Sequence, residues 1–219
     1  MNRSLQLGTF VLALVVGGAG CNPASLGYFL FRGDQKAPAE AKAFAPVKDK
    51  REVTVAILVN SPANTLEFAG LDRDIVSAIS RTFAEQSQDK KPFVKVIEPS
   101  KLDRFKAQHP GWKAMSASDI GKELGADYAM EMTITGFDLY EKGTGRLMYL
   151  GHASADVVTY ETAGGTEHSR YFVDAPIESR PADGTPAAQY KSMLIQRLAL
   201  RLSWKHIPHV TDQRISSVQ

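Results

Sequence analysis

The chain has 219 residues, of which 26 are basic, 24 acidic and one is cysteine, and 43% are apolar. That length suits one domain of ordinary size with tails, and the core must hold together by packing, because one cysteine closes no internal disulfide. A net charge of +2, without a basic run interleaved with aromatics, argues against nucleic acid as a partner.

Met1, Asn2 and Arg3 precede an apolar run from Leu5 to Val16, which exits through Gly17, Gly18, Ala19 and Gly20 to Cys21. A charged start, a short apolar core and small residues before a cut describe a secretory signal, and the core falls short of the roughly 20 residues that a membrane-crossing helix needs. With Cys21 where the first mature residue would fall, the segment resembles the lipobox of bacterial lipoproteins, although Gly18 stands where that family usually carries Leu. The resemblance implies that residues 1–20 are a signal peptide and that Cys21 is acylated, with palmitate-type chains and the bilayer as a partner. Asn22, where an Asp tends to retain lipoproteins at the inner membrane, implies an outer-membrane lipoprotein facing the periplasm.

Leu26 to Phe31 is a short apolar patch, suited either to a lipid interface or to packing on the domain. Gly33 to Arg51, rich in Ala, Pro and Lys, reads as a tether, so residues 21–51 are assigned to anchor and tether. The folded part begins with Glu52–Asn60, a β-branched run apolar on both parities and therefore a strand buried on both faces. Leu71, Ile75, Ile79 and Phe83, with Val76 beside them, space out an amphipathic helix. Phe93 to Ile97 is a second strand, which closes a β-α-β unit in one sheet. A short helical piece lies around Leu102 to Phe105, and His109 to Trp112 is a turn.

Ser116 or Ser118 caps a helix with Ile120 and Leu124 inside, Gly125 supplies a left-handed stop, and a strand runs from Asp127 to about Tyr140. Leu147 to Thr162 and Thr166 to Val173 return as two more strands across glycine-bearing turns, giving an antiparallel meander. Ala187 to Trp204 carries Tyr190, Leu194, Leu198 and Leu202 as a final helix, and residues 206–219 read as a tail.

The resulting fold class is α/β (α+β), in the order β-α-β-α-β-β-β-α, as one domain over residues 52–205 with helices packed on a mixed sheet. Within it, Asp119 to Glu131 with its Leu124-Gly-Ala-Asp127 core resembles the helix-to-strand element of the TolB N-terminal domain and of related envelope lipoproteins. Those relatives include the curli-secretion lipoprotein CsgG and the penicillin-binding-protein activator LpoB. The resemblance covers roughly Glu52 to Thr162 and implies a non-catalytic binding or assembly module with an envelope protein partner.

No Gly-x-Ser-x-Gly elbow, phosphate loop or His-Glu-x-x-His pair occurs, so no cofactor, metal or catalytic residue is assigned. His206 and His209 are three apart, but Pro208 spoils a helical metal clip and no third ligand is evident. The alternative to a binding module is an envelope hydrolase assembled from distant residues, with Asp127, His152 and His168 as candidates. A hydrolase requires at least two of these within hydrogen-bond reach in a cleft. A binding module requires an exposed apolar patch or an unpaired strand edge.

Overall fold

The computed structural model describes residues 36–46, 51–61, 69–141, 143–144, 149–177 and 185–210. The chain divides into two compact units, residues 1–36 with 210–214 and residues 37–209 with 215–219. Of the first, only Lys36 and Val210 are described, and every element labelled below belongs to the second. Cys21, the Leu26–Phe31 patch, the loop over 178–184 and the tail from residue 211 lie outside the described residues.

Among the described residues, the main elements of the second unit are β1 (Glu52–Asn60), α1 (Leu71–Ser87), β2 (Phe93–Val96), α2 (Pro99–Gln108), α3 (Ala117–Glu123), β3 (Tyr128–Tyr140), β4 (Tyr149–Glu161), β5 (Thr166–Pro176) and α4 (Ala187–His206); a 3-10 turn over Trp112–Ala114 joins α2 to α3, and Lys36–Ala37 pairs with His209–Val210 in a separate two-stranded sheet. The sheet order is β2-β1-β3-β4-β5. β1 pairs in parallel with β2 and with β3, while β3, β4 and β5 form the expected antiparallel meander. The short helical piece after β2 is a ten-residue helix begun by Pro99, whose fixed φ suits a first turn.

The continuous apolar reading of β1 is explained by what lies on each side of it. Val53, Val55, Ile57 and Val59 point into a core shared with Ile75, Ile79 and Phe83 of α1 and with Leu194, Leu198 and Leu202 of α4. Ala56 and Leu58 point the other way, against Leu102 and Phe105 of α2 and Ile120 and Leu124 of α3. Where α1 ends, the fully buried Ser87 donates its hydroxyl to the Phe83 carbonyl at 2.6 Å and accepts the Val94 amide at 2.9 Å, which ties the helix to β2.

The helix-to-strand element is specified residue by residue. Of the two serines offered as caps, Ser116 accepts the Asp119 amide at 3.1 Å. Gly125 adopts φ 73°, and the Ala126 and Gly125 amides return to the Gly121 and Lys122 carbonyls, which closes a Schellman stop. A Cβ on Gly121 would meet the Ala129 Cβ at 2.7 Å and the Thr162 Cγ2 at 2.8 Å, so this glycine lets the short helix lie directly on β3. Asp127 Oδ2 accepts the Thr54 amide of β1 at 2.9 Å and clasps the parallel pair where it begins.

Two boundaries differ from the sequence reading. Residues 40–45 of the expected tether pack on the domain: Phe44 is 4% exposed within the core, and the Glu40 and Ala41 amides donate to the Trp204 and Lys205 carbonyls at 2.9 Å each. The start of the expected tail is also packed, with His206, Ile207 and His209 buried. Alanine, proline and lysine composition indicates a tether only when nothing receives the chain. Here the last carbonyls of α4, which no helical amide can reach, receive it.

Candidate interaction surface

The two sides of the sheet are covered unequally. α1 and α4 close one side, whereas on the other side α2 and α3 cover only β1 and the start of β3. Alternation along β3, β4 and β5 then turns a second set of side chains toward that uncovered side, and the pairing register arranges them in rows. Glu131, Val158 and Arg170 share one row, Thr133, Asp156 and Phe172 the next, and Asp138, His152 and Pro176 another. Phe172 is 54% exposed and Leu150, on the same parity of β4 as His152, is 48% exposed. They are the two exposed large hydrophobics among the described residues.

Five carboxylates, those of Glu131, Asp138, Asp156, Glu167 and Asp174, share this side with one guanidinium, that of Arg170. Arg170 is held by Glu167 at 2.7 Å, and that pairing keeps the Glu167 carboxyl below its usual range. His152 Nε2 meets Asp174 Oδ1 at 2.7 Å. Glu131 receives the Asn60 amide group at 3.3 Å. Where α3 ends the covered half, a cleft of about 470 Å³ runs between Ser116, Asp119 and Lys122 on one wall and Glu131, Tyr160 and Thr162 on the other. β5 is also an edge strand, with no strand on its outer side among the described residues.

Of the three hydrolase candidates, His152 stands apart from the other two. His152 lies nine residues from Glu161 along β4, about 30 Å at the usual strand rise. His168 stands beside Glu161, with its Nδ1 at 3.1 Å from Glu161 Oε1 and its side chain 1% exposed. It is placed there by a bulge: Ser169 opposes Thr159 and Glu167 opposes Tyr160, leaving His168 as the extra residue on β5. Asp127 is engaged with Thr54, as described.

His206 and His209 do not face a common point through free nitrogens. His206 Nδ1 donates to the Lys42 carbonyl at 2.9 Å, and its Nε2 accepts from the Tyr171 hydroxyl at 2.6 Å. Burial pushes its pKa down to about 4, so it is neutral at physiological pH, and burial holds the Tyr171 hydroxyl well above its ordinary value. His209 stacks on Trp204 with ring centroids 4.7 Å apart. No group of three His, Cys, Asp or Glu side chains suited to a metal occurs among the described residues.

Phe172 and Phe44 escaped the sequence reading. The strand around Phe172 was legible, but whether Phe172 or Tyr171 faces the core depends on the bulge at Thr159 and Tyr160. Phe44 was the single aromatic in a stretch read as a linker, and that isolation was the available signal.

No protein-family model and no curated protein matches the sequence. Solved structures resemble this chain at low identity. PelC from Paraburkholderia phytofirmans, described as a dodecamer, is 8% identical with a TM-score of 0.42, covering 77% of this chain and 95% of that one. The lipoprotein GNA1162 from Neisseria meningitidis is 13% identical with a TM-score of 0.42, covering 69% of this chain and 98% of that one. TolB from Acinetobacter baumannii is 10% identical with a TM-score of 0.32, covering 77% of this chain and 30% of that one.

Proposed function

We propose that this protein is a lipoprotein of the bacterial envelope, acylated at Cys21, that works without catalysis as a protein-binding or assembly module through the open side of its sheet. The observation that carries the reading is Phe172, an aromatic 54% exposed in the middle of a regular strand that no described helix covers. Phenylalanine held in water on a flat, paired surface is more at home in an interface. The lipobox-like sequence before Cys21 supports attachment, and Asn22 supports placement at the outer membrane facing the periplasm.

The decisive experiment installs a photocrosslinking amino acid at Phe172, and in parallel at Arg81 on α1, in cells that carry the full chain. A discrete adduct from Phe172 with none from Arg81 is the expected result. Equal labelling from both positions, or none from Phe172, sinks the open side as the interface. The anchor is tested separately: the mature wild-type chain should carry an acyl mass on its N-terminal peptide, and Cys21→Ser should lose both that mass and membrane attachment.

A further inference from the structure

The open side of the sheet sets carboxylates next to exposed apolar groups. Asp156 and Phe172 are direct cross-strand partners, so a carboxylate and an aromatic face stand in one row, their Cα atoms about 5 Å apart as such pairs are. Further along the same strands, Asp138 is the cross-strand partner of His152, and Leu150 stands two residues along β4 from His152. A second carboxylate is thus placed near a second exposed apolar side chain. The step from Asp156 to His152 on β4 separates the two places by about 13 Å at the usual strand rise.

These two carboxylates are not spent inside the molecule. Asp174 pairs with His152, Glu167 with Arg170, and Glu131 receives the Asn60 amide group. Asp138 and Asp156 are exposed and have no hydrogen-bonding or ionic partner among the described residues. The guanidinium of this side is therefore already held, and the charge left over is negative. A separate sign of an occupant lies at the head of the rows. Ser118 is 7% exposed and lines the cleft shared with Glu131 and Tyr160, and its hydroxyl has no partner among the described residues. A hydroxyl buried to that degree is ordinarily satisfied, and here the cleft is where an incoming main chain can satisfy it.

We infer that the open side docks an extended, cationic segment of a protein partner, which lays one basic side chain across Asp156 and Phe172 and a second on Asp138 beside Leu150. The inference rests on the reading of this side as a protein interface, and it names the chemistry that the interface receives. A guanidinium placed over Phe172 gains the ring's negative face and the Asp156 carboxylate together. A basic side chain at the second place covers Leu150 with its apolar stem while its head reaches Asp138. Four residues of extended chain span the same distance of about 13 Å and return side chains to the same face.

Charge also decides against a second copy of this chain as the occupant. Two open sides face to face set carboxylates against carboxylates. The helical side offers no better match, because the ammonium groups of Lys191 and Lys205 on α4 are held by Asp74 and Glu40.

The test uses the detergent-solubilised full chain and two labelled probes, an extended threonine-rich nonapeptide with arginine at its third and seventh residues and the same peptide with glutamine there. The arginine peptide should bind about fivefold tighter or more, since two exposed ion pairs and one cation–π contact are each worth a fraction of a kcal/mol to about 1 kcal/mol. Raising the salt should shrink that preference. Asp156→Asn combined with Asp138→Asn, both at exposed positions, should bring the two peptides within twofold of each other. Glu85→Gln, which removes the same charge from the exposed face of α1, should leave the preference intact.

An arginine peptide that does not bind, that binds no better than the glutamine peptide, or that keeps its preference in the double variant overturns the inference. Self-association of the full chain that Phe172→Ser abolishes would make a second copy the occupant and overturn it as well. If the peptide preference fails while a photocrosslinker at Phe172 still yields its discrete adduct in cells, the cationic partner is refuted and the open side stands as an interface. If that adduct is also missing, both readings fall.

Discussion

The two sides of the sheet are made from the same strands and differ only in parity, yet one is a core and the other is a surface. Under α1 and α4, β3 and β4 present Met130, Met132, Ala153, Ala155 and Val157, all fully buried. One residue over, the same strands present Glu131, Thr133, Asp156 and His152. The helices are therefore not adhering to a uniformly apolar sheet: each strand specifies which side is to be covered, and α2 and α3 stop where the apolar parity of the second side stops at Ala129. Phe172, Leu150 and Val158 break this rule, and they break it on the uncovered side.

The sharpest test of the contrast is a truncation on the closed side. Leu198→Ala, at a position with no exposure, should cost about 2–5 kcal/mol in chemical denaturation through lost burial and the cavity left behind. A cost below about 1 kcal/mol would mean that α4 is not packed as described.

Acid should act on the closed side next. His206 is neutral when buried, down to about pH 4, while the unfolded chain takes up the proton near the ordinary value of 6.5. Its contribution is therefore complete above pH 6.5 and is lost as pH falls from there toward 4. The loss is about 3 kcal/mol at most. The Glu161 carboxyl, held below its usual range chiefly by the hydrogen bond from His168, adds a loss of the same sign below its ordinary value of 4.5. Melting curves across this range should show the decline, and His206→Asn, which keeps a donor near the Lys42 carbonyl, should flatten it between pH 6.5 and 4.5.

A smaller effect is expected where the two halves of the second side meet. Gly121→Ala places a methyl against Ala129 and Thr162 and should destabilise by about 1–3 kcal/mol, despite the better helix propensity of alanine. Stabilisation on this substitution would show that α3 does not lie so close to β3. The smallest change in stability belongs to the open side: Phe172→Ser should stay within about 0.5 kcal/mol of wild type while abolishing partner capture from the envelope. Loss of partner capture together with a large fall in stability would instead make Phe172 part of the fold.

Periodicity made most of the elements legible. Glu52–Asn60 was bounded correctly because β-branched residues on both parities occur in few other settings, and the final helix was given by Tyr190, Leu194, Leu198 and Leu202. The Leu124 to Asp127 element was legible because each residue there answers a local backbone need. The site was less so. Phe172 could not be placed in or out until the bulge at Thr159 and Tyr160 fixed the parity of β5, and a bulge is a relation between two strands. His168 was singled out as a possible catalytic group, and the same bulge turns it inward beside Glu161.

By itself the sequence determined the elements, their order and the turn chemistry between them, because spacing, caps and left-handed glycines are properties of neighbouring residues. It also set the apolar run before Cys21. Only the tertiary structure decided that residues 40–45 leave the tether for the end of α4, that Gly121 is required by the approach of α3 to β3, and that Phe172 faces outward. Each of these depends on a surface supplied from more than 30 residues away along the chain or on the other side of a turn, and no local pattern encodes what is waiting there.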